Sequence, residues 1–327
     1  MGELLRQRRG KTEERIKCLR QELSNANKLC GDKVCVYMTG SFARGEAIVH
    51  SDLDLFIVGE GTPADPALAP LDEILIKADL IEATRQLAIP DFFGGGEYLK
   101  HYTVGELVKS LGTQEDDANN TFTARLLLLL ESFPLVGENA YKQITKKVIS
   151  AYWRDYQDHK NDFRPAFLAN DILRMWRTFC VNYEARTQVD PPEKKAKRKL
   201  KNYKLKHSRL LSCYSALLYL LAVFRRSATV SPTDAVEMIM LSPTQRLEWL
   251  LSQDHIADAH ALITKLIARY EEFLDRTDKS EEELLNKFMD KTQSNEFFPS
   301  AFDFGDLVFE VLDKIGNKNS LHRLLVV

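Results

Sequence analysis

The stretch that decides the fold runs from Thr39 to Val58 and reads TGSFARGEAIVHSDLDLFIV. Its second half is an apolar, strand-like run that also carries two aspartates, Asp52 and Asp54. Because side chains alternate along a strand, both carboxylates point to one side while Leu53 and Leu55 can face a core. Two like charges at this spacing repel each other, and keeping both ionised at a half-buried strand end costs several kcal/mol unless a positive charge binds there. A divalent cation is the simplest candidate for that charge.

The composition is that of an ordinary soluble protein. The chain has 327 residues, enough for two domains, with 44% hydrophobic and 28% charged residues. The formal net charge of -2 gives no general electrostatic reason to bind nucleic acid or a membrane surface, so either partner would need a local patch. Five cysteines, an odd number with scattered spacing, favour reduced thiols over a disulfide framework and indicate a cytoplasmic protein.

No segment of the sequence predicts a membrane span or a secretory signal. The most apolar run, from Thr123 to Gly137, is shorter than about 18 residues and is interrupted by Glu131 and Pro134. The segment from Met1 to Leu23 lacks the apolar core of a signal peptide. We therefore expect no membrane partner.

Hydrophobic periodicity predicts a small α/β unit followed by a largely helical region. A strand is expected over 33–40, before the Gly-Ser turn, and another over 97–104. Between them, a helix over about 71–87 has four apolar residues spaced for one face: Leu71, Ile74, Leu75 and Ile81. After about residue 106 almost every segment has helical spacing.

Three groups of residues in the opening stretch form a joint pattern. Gly40-Ser41, Arg44-Gly45 and Ser51-Asp52-Leu53-Asp54 resemble the signature of the DNA polymerase beta-like nucleotidyltransferase superfamily. In that family a Gly-Ser pair begins a short helix, and two aspartates on the next strand hold metal ions. The match covers about 33–104. Within the superfamily, Arg44-Gly45-Glu46 and the all-helical sequel look most similar to protein-modifying uridylyl- and adenylyltransferases.

The resemblance implies an α+β enzyme in three parts. These are an N-terminal helix over 1–30, a small mixed-sheet nucleotidyltransferase domain over 31–110, and a mainly helical domain over 111–327 that closes the nucleotide cleft. The implied reaction moves a nucleoside monophosphate from an NTP, ATP included, to an acceptor hydroxyl on a protein or small molecule and releases pyrophosphate. Mg²⁺ is the implied cofactor, with Mn²⁺ as its substitute.

The chemistry of this reaction explains the paired aspartates. Two metal ions roughly 4 Å apart can stabilise the attacking and leaving oxygens of an in-line displacement at the α-phosphate. Asp52 and Asp54 can share such ions, and oxygen ligands suit a hard cation such as Mg²⁺. Related sites carry a third carboxylate, which would help to activate the acceptor. Glu97 is the expected third ligand, brought beside Asp54 by antiparallel pairing of the next strand, and Asp91 is its rival.

Phosphate contacts are expected from two parts of the chain. Gly40 lets the backbone approach closely, and Ser41 offers its hydroxyl and neighbouring N–H groups. Arg44 either contacts phosphate or pairs with Glu46. In the helical half, Lys204 and Ser208 resemble a triphosphate-binding pair of the family.

Lys204 and Ser208 belong to a stripe that also contains Lys197 and Lys201. A solvated basic helix face and an RNA-binding surface are the two other readings of this stripe.

Two other classes of function remain open from the sequence. One is an RNA-end or tRNA nucleotidyltransferase, for which the lysine stripe would contact a nucleic-acid backbone. The other is a non-catalytic interaction protein, such as an antitoxin partner that keeps a vestigial fold.

Overall fold

The computed structural model of the chain describes residues 2–90, 92, 99–184 and 191–326. The chain divides into two compact units, a first unit over Arg6–Arg154 and a second formed by Met1–Leu5 with Asp155–Val327. The elements up to Arg154 are, in chain order, α1 (Glu3–Glu22), α2 (Ser24–Cys30), β1 (Val34–Thr39), α3 (Gly40–Arg44), β2 (Asp54–Gly59), β3 (Gly61–Thr62), β4 (Asp65–Pro66), α4 (Pro70–Gln86), β5 (His101–Thr103), α5 (Val104–Lys109), α6 (Glu115–Ala118), α7 (Thr121–Leu130), β6 (Phe133–Val136) and α8 (Glu138–Tyr152).

The remaining described elements are helical. They are α9 (Ala166–Glu184), α10 (Pro192–Lys204), a π-helical turn (Leu205–Arg209), α11 (Leu210–Ser227), α12 (Pro232–Ile239), α13 (Pro243–Leu251), α14 (His260–Arg276), α15 (Glu281–Met289), α16 (Lys291–Gly316) and α17 (Ser320–Val326), with short 3₁₀ turns at Tyr156–His159 and Asp254–Ala259. The predicted α+β class, a small mixed sheet followed by a mainly helical region, is confirmed.

The sheet of the first unit has the order β5-β2-β1-β6. One face is apolar: Met38 lies opposite Leu55, and Val36 opposite Ile57. These side chains are buried in one cluster with residues of α1, the α1–α2 junction, α2 and α4: Leu19, Leu23, Ala26, Ile76 and Leu80. Since burying one such side chain is worth about 1.5–3 kcal/mol, this cluster fixes the alternation of β1 and β2.

The opposite face of the sheet is aromatic and ends in polar groups. Tyr37 stacks on Phe56 with ring centroids 5.3 Å apart, and the Tyr37 hydroxyl donates to the Ala124 carbonyl of α7 at 3.0 Å. Thr39 and Asp54 are the last pair of the same ladder and stand on this face. The apolar alternation on the other face is therefore what directs Asp54 to the aromatic side.

Two predictions about this unit are wrong. Strand β5 pairs with β2 in parallel, not antiparallel, because α4 carries the chain back along the sheet before the next strand begins. On α4 the buried side chains are Ile76, Leu80, Ala83 and Thr84, whereas Leu71 is 74% exposed. Ile74 and Leu75 are also exposed, so only residues further along the helix reach the core.

The two compact units have other bounds than the domains over 1–30, 31–110 and 111–327, which stay a prediction. Strand β6 pairs with β1, and α7 and α8 pack on the aromatic face of the sheet, so the first unit extends to Arg154. Helix α1 supplies core residues to the sheet.

The second unit is built around α11, whose side chains are buried almost without interruption from Leu210 to Phe224. Aromatic rings cluster beside the π-helical turn, where His207 stacks on Phe273 with ring centroids 4.4 Å apart. By length and composition the helical run Pro192–Ser227 could cross a membrane, and 83% of its apolar window is buried inside the structure, as it is in core helices.

Candidate active site

The turn from β1 into α3 requires a glycine at position 40. Gly40 has a φ of +69°, in the left-handed region, and a Cβ placed on it would lie 3.0 Å from Oδ2 of Asp54. A side chain here would therefore strain the backbone and press on the carboxylate. This close approach places the Gly-Ser turn against Asp54.

The two aspartates of the opening stretch differ in their surroundings. Asp54 is the first residue of β2 and is half-buried, whereas Asp52 precedes the strand and is exposed. Opposite Asp54 in the register stands Thr39, which is only 1% exposed. The Thr39 hydroxyl makes no hydrogen bond within the described part of the chain. Buried polar groups are normally hydrogen-bonded, so this hydroxyl next to the Asp54 carboxylate can still bond a ligand or an ion.

These groups fit a hard cation by the chemistry of their donors. The carboxylates of Asp52 and Asp54 and the hydroxyl of Thr39 are oxygen ligands, the type that Mg²⁺ prefers. Among residues 2–90, 92, 99–184 and 191–326, no cluster of three or more His, Cys, Asp or Glu side chains could hold a metal. The predicted third ligand Glu97 and its rival Asp91 lie outside the described residues. Such a pair of carboxylates leaves positions for phosphate oxygens and water, which is the usual arrangement for Mg²⁺.

Ser41 is the second residue of α3 and is half-buried. Its carbonyl accepts the N–H of Glu46 at 2.8 Å, which closes the helix end. Its hydroxyl makes no hydrogen bond to any residue that the structure describes. The hydroxyl is therefore available to a ligand.

Arg44 is held by two carboxylates. Its Nε donates to Glu46 at 2.7 Å, and a terminal nitrogen donates to Glu131 at 2.9 Å. All three side chains are nearly inaccessible to water. Of the two roles predicted for Arg44, the structure contains the ion pair with Glu46. A contact of Arg44 with phosphate stays a prediction.

Glu131 is the residue that sequence reasoning missed. It follows α7, its side chain is fully buried, and one of its oxygens also accepts the N–H of Gly40 at 2.9 Å. The Gly40 N–H is thus directed to a carboxylate and not to a bound phosphate. The available signal was an acidic residue directly after five buried leucines, where a lone charge needs partners.

Lys204 and Ser208 lie in the second unit. Ser208 is buried, and its hydroxyl accepts a hydrogen bond from the Tyr270 hydroxyl at 3.4 Å. At the start of the same stripe, Lys197 pairs with Glu281 at 2.9 Å. The hydrogen bond from Lys197 lowers the pKa of Glu281, with smaller contributions from the charges of Lys204 and Lys201. The lysine stripe therefore faces an acidic helix end within its own unit, and the roles of Lys204 and Ser208 in binding phosphate stay predictions.

Comparison with known proteins adds one finding. Residues 16–95 match the family model described as a nucleotidyltransferase domain. The matched segment contains the Gly-Ser turn and both aspartates, but it ends before Glu131. No curated protein and no solved structure matches the chain.

Proposed function

We propose that the chain, a nucleotidyltransferase that uses an NTP, moves a nucleoside monophosphate to an acceptor hydroxyl in a Mg²⁺-dependent reaction. The observation that carries the proposal is the contact between Gly40 and Asp54. A backbone conformation suited to glycine is used to bring a turn with an available serine hydroxyl against a half-buried carboxylate. A strand end that had only to terminate the sheet would not need this arrangement.

Asp52 and Asp54 are proposed to hold Mg²⁺, with the Thr39 hydroxyl beside them. When bound, the ion neutralises charge on the phosphates and on the oxygens that attack and leave. The Ser41 hydroxyl donates a hydrogen bond to an oxygen of the triphosphate. Gly40 keeps the turn close to Asp54. The Ser41 hydroxyl and the Asp54 carboxylate can therefore bind the same Mg²⁺-NTP.

The proposed bond changes are those of a single displacement. The acceptor oxygen forms a bond to the α-phosphorus while the bond from that phosphorus to the bridging oxygen breaks. Pyrophosphate leaves, and the hydroxyl proton passes to a base. Glu97 is the residue proposed to help in this step.

A protein or a small molecule is the proposed acceptor. The net charge of the chain is -2, and the densest basic stripe has a lysine paired with Glu281 in its own unit. Both features weaken the electrostatic attraction that a nucleic-acid backbone needs. The odd number of cysteines, five, and their scattered spacing support the proposal of a cytoplasmic location.

The test begins with binding. Thermal unfolding is followed with each NTP, with and without Mg²⁺, for the wild type, for Asp54→Asn and for Asp65→Asn. Asp65 is an exposed aspartate of the β3–β4 hairpin in the same unit and serves as the matched control. A ligand at about 100 times its Kd stabilises the native state by about 2.7 kcal/mol. With Mg²⁺ and the NTP present, we expect this gain in stability for the wild type and for Asp65→Asn, and no gain for Asp54→Asn.

The acceptor is then identified by transfer of label. The protein is incubated with Mg²⁺, each α-labelled NTP and a cell extract fractionated into protein, RNA and small molecules. Label in the protein or small-molecule fraction, lost in Asp54→Asn, supports the proposal. Label in the RNA fraction would refute the proposed acceptor class, and equal stabilisation of Asp54→Asn by Mg²⁺-NTP would refute the proposed site.

A further inference from the structure

Helix α3 is held at both of its ends by one distant carboxylate. The helix has five residues, from Gly40 to Arg44. Glu131 accepts the backbone N–H of the first residue at 2.9 Å and the guanidinium of the last residue at 2.9 Å. The bond to Gly40 joins residues 91 positions apart in sequence.

The helix has little support of its own. A single helical turn is unstable by itself, because few backbone hydrogen bonds offset the loss of conformational freedom. Thr39, at the N-cap position, makes no capping hydrogen bond with its side chain. Glu131 supplies from another part of the chain what the local sequence lacks.

The carboxylate is itself well fixed. Glu131 directly follows α7, whose side chains from Leu126 to Leu130 are all buried. The carboxylate is fully buried and its partner Arg44 is also bound by Glu46 at 2.7 Å. Buried polar networks of this kind hold one geometry, since a displaced partner leaves an unsatisfied group.

We propose that Glu131 is a positioning residue for nucleotide binding, an inference that rests on the proposed function. By holding both ends of α3, it sets the orientation of the turn that carries Ser41 and keeps Gly40 against Asp54. Because the Gly40 N–H donates to Glu131, it is not available to the nucleotide, and the Ser41 hydroxyl makes the contact from this turn. Glu131 does not touch the nucleotide in this role.

The test compares three substitutions in the full chain. Glu131→Ala removes both contacts, whereas Glu131→Gln keeps an oxygen acceptor for the Gly40 N–H and loses the charge opposite Arg44. Asp116→Asn is the control, because Asp116 is another buried carboxylate of the same unit, and its side chain bonds Ser110, Thr121 and Arg125, which lie outside α3. If Glu131→Ala does not fold, Glu131→Asp replaces it, since its shorter side chain withdraws the carboxylate from Gly40.

Two quantities are measured below the unfolding temperature of each variant. The first is the Kd for Mg²⁺-NTP by titration calorimetry. The second is protection of the Gly40 amide from hydrogen exchange in the protein without nucleotide. For Glu131→Ala we expect the Kd to rise by on the order of tenfold and the amide protection to fall by a similar factor. For Glu131→Gln we expect the Kd and the amide protection to lie between those of the wild type and of Glu131→Ala. For Asp116→Asn we expect the Kd of the wild type.

The possible failures are distinguishable. Binding of Mg²⁺-NTP by the wild type that is unchanged in Glu131→Ala would overturn the inference and leave the proposed function standing. An equal rise of Kd in Asp116→Asn would also overturn it, because general destabilisation would then explain the effect. Absence of nucleotide binding in the wild type, with the Gly40 amide protected, would overturn both proposals through the failure of the function.

Discussion

Replacement of Gly40 by alanine should weaken metal-nucleotide binding by moving the Asp54 carboxylate. The substitution has two costs. A non-glycine residue at a φ of +69° is strained by about 1–2 kcal/mol. The new Cβ would also lie 3.0 Å from Oδ2 of Asp54, which is inside the range of about 3.5–4.0 Å for favourable contacts. The carboxylate must therefore move back by roughly half an ångström.

Gly45 at the other end of the same helix provides a matched control. Its φ is +71°, so alanine meets the same backbone strain. A Cβ at Gly45 would lie 3.3 Å from Cγ of Arg9, a flexible side chain that can give way. Both variants should lose about 1–2 kcal/mol in the free energy of unfolding, but only Gly40→Ala displaces a carboxylate proposed to bind the metal.

Urea unfolding measures the shared cost, and titration with Mg²⁺-NTP measures the difference between the two variants. A misplacement of 1 Å can cost on the order of a hundredfold in rate, so a half-ångström shift of Asp54 should weaken binding by about tenfold. Gly45→Ala should bind within about threefold of the wild type. Equal affinities of Gly40→Ala and the wild type, or equal losses in the two variants, would show that the Gly40–Asp54 contact has no part in binding.

Two further predictions concern stability. Asp116→Ala should lower the free energy of unfolding by about 3–5 kcal/mol in a urea titration, because it leaves the buried guanidinium of Arg125 without its 2.5 Å partner; a loss below 1 kcal/mol would contradict this. Burial lowers the pKa of His207 to about 4, whereas in an unfolded chain the pKa is roughly 6.5. Between about pH 6.5 and pH 4 the unfolded state therefore binds a proton at this side chain that the folded state does not bind. Unfolding free energy should therefore fall by about 3 kcal/mol as the pH drops from 7 to 4, beyond the decline shown by His207→Phe. Parallel pH curves for the two proteins would refute the assignment.

Some features of the site follow from local sequence alone. The alternation that turns Asp54 to the face opposite Leu55 is a property of any strand, whereas Asp52 precedes β2 and lies outside this alternation. Outside the site, Ser280 followed three residues later by Glu283 is also a local pattern, and these residues form a capping box at the start of α15. Both patterns depend on residues within one or two helical turns.

Other predictions failed because the sequence allowed more than one packing arrangement of an element against its neighbours. Helical spacing on α4 allowed more than one apolar face, and the sheet accepted Ile76 and Leu80 while Leu71 stayed exposed. The direction of β5 depended on how the chain returned after α4, and the structure pairs it in parallel with β2. Periodicity gives the candidates, but packing decides which one is used.

By itself, the sequence determined the class of the chain and predicted a candidate site at Gly40, Ser41, Asp52 and Asp54. A Gly-Ser turn, two aspartates at the start of an apolar run and a helical sequel are local patterns, since backbone conformation and side-chain alternation act over a few residues. Only the tertiary structure decided what holds that site in place. Glu131 reaches Gly40 across 91 residues and takes up Arg44 as well, and no periodicity links positions so far apart. A buried charge must find its partners wherever the folded chain brings them, and that location is a property of packing.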